Sequence, residues 1–110
     1  MKTAMKWFLT KRAEEGLLDI ANWTFDQFGP RQAEIYRDEL ITVCEKIAEG
    51  QAISQSCSLL ADVLPNEELR FTRAGQHYII YLKTQKPEVV IIDFLHSSAD
   101  LEKRLVKLSV

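Results

Sequence analysis

The dipeptide Gly29-Pro30 constrains this chain more than any other feature, because it divides two long runs of helical period. Upstream, Ala13, Leu17, Ile20, Ala21, Thr24 and Phe28 recur at spacings that describe a helix with one buried face. Downstream, Ala33, Tyr36, Leu40, Val43 and Ile47 repeat the pattern, widened by Cys44 and Ala48. Glycine accepts the left-handed backbone that ends a helix, and proline at the first helical position loses no hydrogen bond by lacking its N–H. Two helices joined by so short a turn must run antiparallel, packed along their stripes. Thr10 is placed as the N-cap of the first, with Glu14 and Glu15 in the early turns, where the helix dipole favours negative charge. Gly50 is placed as the stop of the second.

Outside the hairpin the period changes from 3.6 to 2. Residues 6–9 read as a short aromatic strand. Residues 67–73 alternate, with Leu69, Phe71 and Arg73 on one side and Glu68, Arg70 and Thr72 on the other. Ala74-Gly75 is expected as a tight turn, residues 76–82 as the next strand, and residues 88–95 as the last and most buried one. Strands joined by short turns form an antiparallel meander. Residues 51–66 read as a loop tucking a few side chains onto the core, with a helical turn near 59–63, and residues 98–108 as a short C-terminal helix. The predicted fold is α+β in the order β-α-α-β-β-β: one domain over residues 1–110, its helical hairpin packed on a mainly antiparallel sheet.

With 110 residues there is room for one hydrophobic core, and 46% apolar against 27% charged residues is the balance of a globular chain. The run Val89-Val90-Ile91-Ile92 stops at Asp93, far short of the roughly 20 apolar residues that span a bilayer. No apolar stretch of signal-peptide length follows Met1, so a cytoplasmic protein without membrane contact is expected. Fourteen basic and sixteen acidic residues leave a charge of −2, against bulk electrostatic attraction to nucleic acid, and no sequence-specific nucleic-acid binding is expected. Cys44 and Cys57 are too few for a disulfide scaffold, and no Cys or His pair has metal-ligand spacing. The expectation is a reduced protein without metal or cofactor.

No nucleophile elbow, phosphate loop or dinucleotide fingerprint is present. The chemistry-bearing residues that remain are Arg70, Arg73, His77, Tyr81 and His96. The two arginines either solvate a strand face, paired with Glu67 and Glu68, or offer forked donors to an acidic partner. The histidines either cap the sheet through backbone hydrogen bonds, the reading preferred here, or work as acid and base on RNA. Acid–base work would need Arg73 as a phosphate clamp and Tyr81 or His77 as the second group. Glu88 and Asp93 are not spaced as a carboxylate pair, and Asp93 is expected to bond an arginine or the helical tail. Trp7, Trp23 and Phe25 are ordinarily core side chains. Yet Leu18, Trp23 and Phe25 widen the first helix's apolar arc with no obvious cover in so small a chain, which marks a protein-binding surface.

The runs Thr10-Lys11-Arg12-Ala13, Leu17-Leu18-Asp19-Ile20-Ala21-Asn22-Trp23-Thr24 and Phe28-Gly29-Pro30-Arg31-Gln32-Ala33, with Tyr36 and Leu40, are similar to the helical hairpin of ParE-type toxins. These belong to the RelE/ParE superfamily of bacterial toxin–antitoxin modules. Glu68-Leu69-Arg70, Gly75-Gln76-His77-Tyr78-Ile79-Ile80-Tyr81 and Val90-Ile91-Ile92-Asp93-Phe94-Leu95-His96 resemble the family's meander and its Leu-His ending. The resemblance covers nearly the whole chain except residues 51–66. It implies a toxin that inhibits DNA gyrase by binding it, as in plasmid-stabilisation modules, and that a ParD-like antitoxin neutralises by laying a helix in an apolar groove. The resemblance carries over no contact residue; from the residues themselves, partner binding is expected at Leu18, Trp23, Phe25, Arg70, Arg73 and His96, with no catalytic residue. The RelE-type branch cleaves mRNA on the ribosome; that alternative would use Arg73, His77, Tyr81 and His96. Against it, His77 stands where that branch tends to carry an arginine, and Ser97-Ser98-Ala99 where another is expected. A third reading is a relative that binds antitoxin without toxicity. The stretch Asp62-Val63-Leu64-Pro65-Asn66-Glu67 lacks basic residues often found there in ParE-type toxins.

Overall fold

A computed structural model of the chain describes residues 6–53, 55–56, 68–83 and 88–97, and the helical hairpin is built as its sequence demands. Helix α1 spans Lys11–Phe28 and α2 spans Pro30–Ala48. Gly29 alone joins them, at φ 91°, and its N–H donates to the Phe25 carbonyl at 2.8 Å. Pro30 then opens α2. Thr10 caps α1: its Oγ1 accepts from the Ala13 N–H at 3.1 Å and donates to the Ile92 carbonyl at 3.0 Å. That second bond fixes the start of the helix to the last strand of the sheet.

The strands are β1 (Lys6–Leu9), β2 (Gln55–Ser56), β3 (Glu68–Ala74), β4 (His77–Lys83) and β5 (Glu88–His96), in the spatial order β1-β5-β4-β3-β2. The meander β3-β4-β5 is antiparallel, whereas β1 lies parallel to β5, from Lys6 opposite Glu88 to Leu9 opposite Ile91. In β5 a bulge at Ile92 shifts the register, so that Ile80 faces Asp93 and Tyr81 faces Ile91. Among the described residues the first and last strands are thus neighbours, a pairing that no local pattern announces.

Three expectations change. Residues 55–56, expected in a loop, form β2 and pair with β3 as Gln55 opposite Phe71 and Ser56 opposite Arg70. Two residues carry no readable alternation, yet they satisfy backbone groups on the outer edge of β3. The tight turn is Gly75-Gln76 rather than Ala74-Gly75, because Ala74 still pairs with His77. Phe28, on the periodic stripe of α1, is 64% exposed: Thr24 is the last buried residue of that helix, and Phe28 lies one turn beyond the core. The helical turn near 59–63 and the C-terminal helix at 98–108 fall outside the described residues.

The main core joins Ala13, Leu40, Cys44 and Ile47 of the helices to Ile79, Tyr81, Val89, Ile91 and Phe94 of the sheet. A second cluster, Leu69, Phe71, Ile80 and Leu95, consists of strand residues alone and occupies the opposite face. Both faces of the sheet are therefore buried, which is why β4 reads as a near-continuous apolar run. Among the described residues, no helix is long and apolar enough to cross a membrane.

Candidate functional site

The end of α1, the start of α2, the β3–β4 turn and the end of β5 meet around Tyr36. Its position on the α2 stripe turns the phenol toward the sheet, where its oxygen accepts from the Gln76 N–H at 3.0 Å and lies 2.6 Å from His77 Nδ1. The Ala74 carbonyl is farther, at 3.4 Å. The phenol oxygen and Nδ1 share one short hydrogen bond, whose donor is set by the imidazole tautomer. Burial holds the Tyr36 hydroxyl above its ordinary pKa, so it keeps its proton. His77 is itself 9% exposed; burial, and secondarily the neighbouring His96, lower its pKa to about 4. The two imidazoles face each other across β4 and β5, edge to face with ring centres 5.2 Å apart. The Ser97 N–H donates to the Gln76 carbonyl at 2.8 Å and closes the corner.

Gly75 makes this corner possible. At φ +58° its backbone is left-handed, and a Cβ there would stand 2.8 Å from Tyr36 Cε1. Any side chain would displace the ring that holds His77.

Outside the cluster lies a groove of about 540 Å³. Trp23, Thr24 and Phe28 of α1 form one wall, Gln32 and Tyr36 of α2 another, and the floor is the β3–β4 turn with His77 and His96. Trp23 and Phe28 meet edge to face at 6.0 Å. Among the described residues lining the groove there is no lysine, arginine, aspartate or glutamate.

The structure separates residues that the sequence allowed to converge. Strand alternation puts Arg73 on the face of Phe71, opposite Tyr78, whereas His77 lies on the helix-side face with Ile79 and Tyr81. Arg73 is exposed, and its Nε donates to the Gly75 carbonyl at 3.2 Å. Tyr81 is 4% exposed within the main core, four residues along the strand from His77 and so roughly 13 Å away. The partner of His77 is Tyr36 instead, a residue that its helical spacing marked only as core. Arg70, half-buried, sits level with Tyr81 rather than with the histidines. Of Arg73, His77, Tyr81 and His96, only the two histidines come together.

Leu18, Trp23 and Phe25 are exposed at 60%, 58% and 52%, as an uncovered arc requires. They do not form one patch. At about 100° per residue, Leu18 and Phe25 share one flank of α1 and Trp23 lies on the other, beside His96. Asp93 bonds an arginine, as expected: Arg12 Nε lies 3.3 Å from its Oδ2, and its Oδ1 accepts from the Phe94 N–H at 2.8 Å. Cys44 is buried in the helical core, its thiol pKa pushed up to about 12 chiefly by desolvation. Among the described residues, no three His, Cys, Asp or Glu side chains group as metal ligands.

A helical hairpin on this sheet is also the fold of a solved structure described as the chromosomal ParDE TA system from P. aeruginosa. The two superpose with a TM-score of 0.60 over 84% of this chain and 96% of that one, at 14% identity, a likeness of fold alone. The family model for the ParE toxin of type II toxin-antitoxin system, parDE, matches residues 8–101, and the chain belongs to that family. Toxin ParE1 of Mycobacterium tuberculosis, in strains CDC 1551 / Oshkosh and ATCC 25618 / H37Rv, is 27% identical over 100 residues. That match spans 91% of this chain and 97% of that protein.

Proposed function

We propose that this ParE-family toxin acts in the cytoplasm by binding and inhibiting DNA gyrase, without catalysis or cofactor, and that a ParD-like antitoxin neutralises it. One observation carries the non-catalytic reading: the arginine needed to clamp a phosphate and the imidazoles needed for proton transfer lie on opposite faces of the sheet. A scissile phosphate beside His77 has no described lysine or arginine in the groove to hold it. The bare side chains on α1 support the partner reading, because apolar surface of this kind on a small domain marks a protein contact. Leu18, Trp23 and Phe25 supply the apolar part of the antitoxin contact, and Arg70, Arg73 and His96 its polar part. The P. aeruginosa structure of the same fold is of a ParDE system, which supports an antitoxin of the ParD type.

The test sets purified toxin against gyrase in a supercoiling assay and, in parallel, against a translating ribosome with primer extension on the mRNA. Supercoiling is expected to fall while the mRNA stays intact. Cleavage of mRNA that is lost in His77→Ala or Arg73→Ala would establish the ribonuclease reading instead. Absence of both activities, with antitoxin binding retained, would identify a non-toxic relative.

A further inference from the structure

The groove beside Trp23 has a chemistry of its own, and its reading rests on the partner being a polypeptide. We propose that it is a cage for the guanidinium group of an arginine side chain presented by a protein partner. Five rings border it: Trp23, Phe28, Tyr36, His77 and His96. No lysine, arginine, aspartate or glutamate stands among its described lining residues, and the faces of Trp23, Phe28 and Tyr36 supply the surface that attracts a cation. Trp23 and Phe28 are 58% and 64% exposed and meet edge to face, leaving ring surface for a planar group to stack on. Burial keeps His77 neutral near neutral pH, so that ring places no opposing charge in the floor.

The polar lining separates a guanidinium from its rivals. A leucine or phenylalanine anchor would make no use of the two glutamines, Gln32 and Gln76, that line the groove. A guanidinium has apolar faces for the rings and five N–H donors at its edge for those amide oxygens. The Thr24 hydroxyl, which donates to the Ile20 carbonyl at 2.8 Å, keeps its own oxygen as a further acceptor. A nucleotide would also stack, but its phosphate finds no lysine or arginine in the described lining. The chain's charge of −2 favours a cationic partner segment.

The test is an NMR titration of the full chain near neutral pH with N-acetyl-arginine-amide, using the uncharged isostere N-acetyl-citrulline-amide as control. N-acetyl-tyrosine-amide and adenosine monophosphate are run alongside. The arginine probe is expected to shift the Trp23 indole N–H and the Gln76 amide while leaving the Trp7 indole unmoved, with saturation in the millimolar range. The citrulline probe should bind several-fold more weakly. Trp23→Leu and Phe28→Leu, both at exposed positions, should each weaken the arginine response by about twofold to thirtyfold, read at the Gln76 amide, with the rest of the spectrum unchanged. Equal binding of the citrulline probe, tighter binding of the tyrosine or nucleotide probe, or no shift at the solubility limit would overturn the inference. None of these results depends on gyrase or antitoxin, so this cage and the proposed function fail separately.

Discussion

Tyr36 joins two distant parts of the chain through one oxygen, which from α2 bonds both the Gln76 N–H of the β3–β4 turn and the adjacent His77. Tyr36→Phe keeps the ring but strands the Gln76 N–H and His77 Nδ1. The exposed Gln76 N–H can turn to water, so the cost falls on the buried His77 and should be about 1–3 kcal/mol, measured as a shift of the urea unfolding midpoint. A pH effect follows from the same cluster. The folded His77 ring takes up its proton near pH 4, whereas an ordinary histidine does so near 6.5. Between those values the unfolded chain binds more protons, so stability is complete above pH 6.5 and falls as the pH drops toward 4. The loss is on the order of 3 kcal/mol at most. Unfolding free energies measured across that window should show this slope, and His77→Gln should flatten it whatever its effect on absolute stability. The sequence could not indicate this pairing, because Tyr36 and His77 are separated along the chain and helical spacing marks Tyr36 only as a core residue.

At the scale of elements, punctuation residues were the most legible part of the chain. Thr10, Gly29 and Pro30 act where local chemistry places them, because capping depends on a few neighbouring backbone groups. Glycines can be compared in the same way. Gly50 and Gly75 both have left-handed backbone, at φ 73° and 58°, but only Gly75 faces an obstacle. Gly50→Asn should therefore cost less than about 1 kcal/mol, since asparagine tolerates that conformation. Gly75→Asn meets the Tyr36 ring and should cost about 2 kcal/mol or more. Thermal unfolding of the two variants checks the difference; equal losses would mean that Tyr36 yields easily. What local patterns missed was long-range pairing: β1 against β5, and the two residues of β2 against β3. Nothing within either short segment specifies a partner so far along the chain.

The whole molecule is a hairpin of helices on one face of a sheet whose other face carries a second apolar cluster. Exposure on α1 was legible from Leu18, Trp23 and Phe25, since too many apolar positions ring that helix for one face to bury. The division of that arc into two flanks follows from helical spacing, but which flank borders the groove does not, because it depends on where α2 and the β3–β4 turn meet α1. The same holds for the quartet Arg73, His77, Tyr81 and His96. Their residue types suit RNA cleavage, but strand parity and burial decide which of them share a space, and only the histidines do.

A toxin that acts by occupying its target differs from an enzyme in its stoichiometry. The decisive measurement is the rate of gyrase supercoiling as a function of the ratio of toxin to gyrase, at a gyrase concentration well above the dissociation constant. Inhibition should rise linearly and level off near a fixed whole-number ratio, unchanged by longer incubation. Supercoiling that stays intact at excess toxin, or a trace of toxin that disables many gyrase molecules as time passes, would contradict the account.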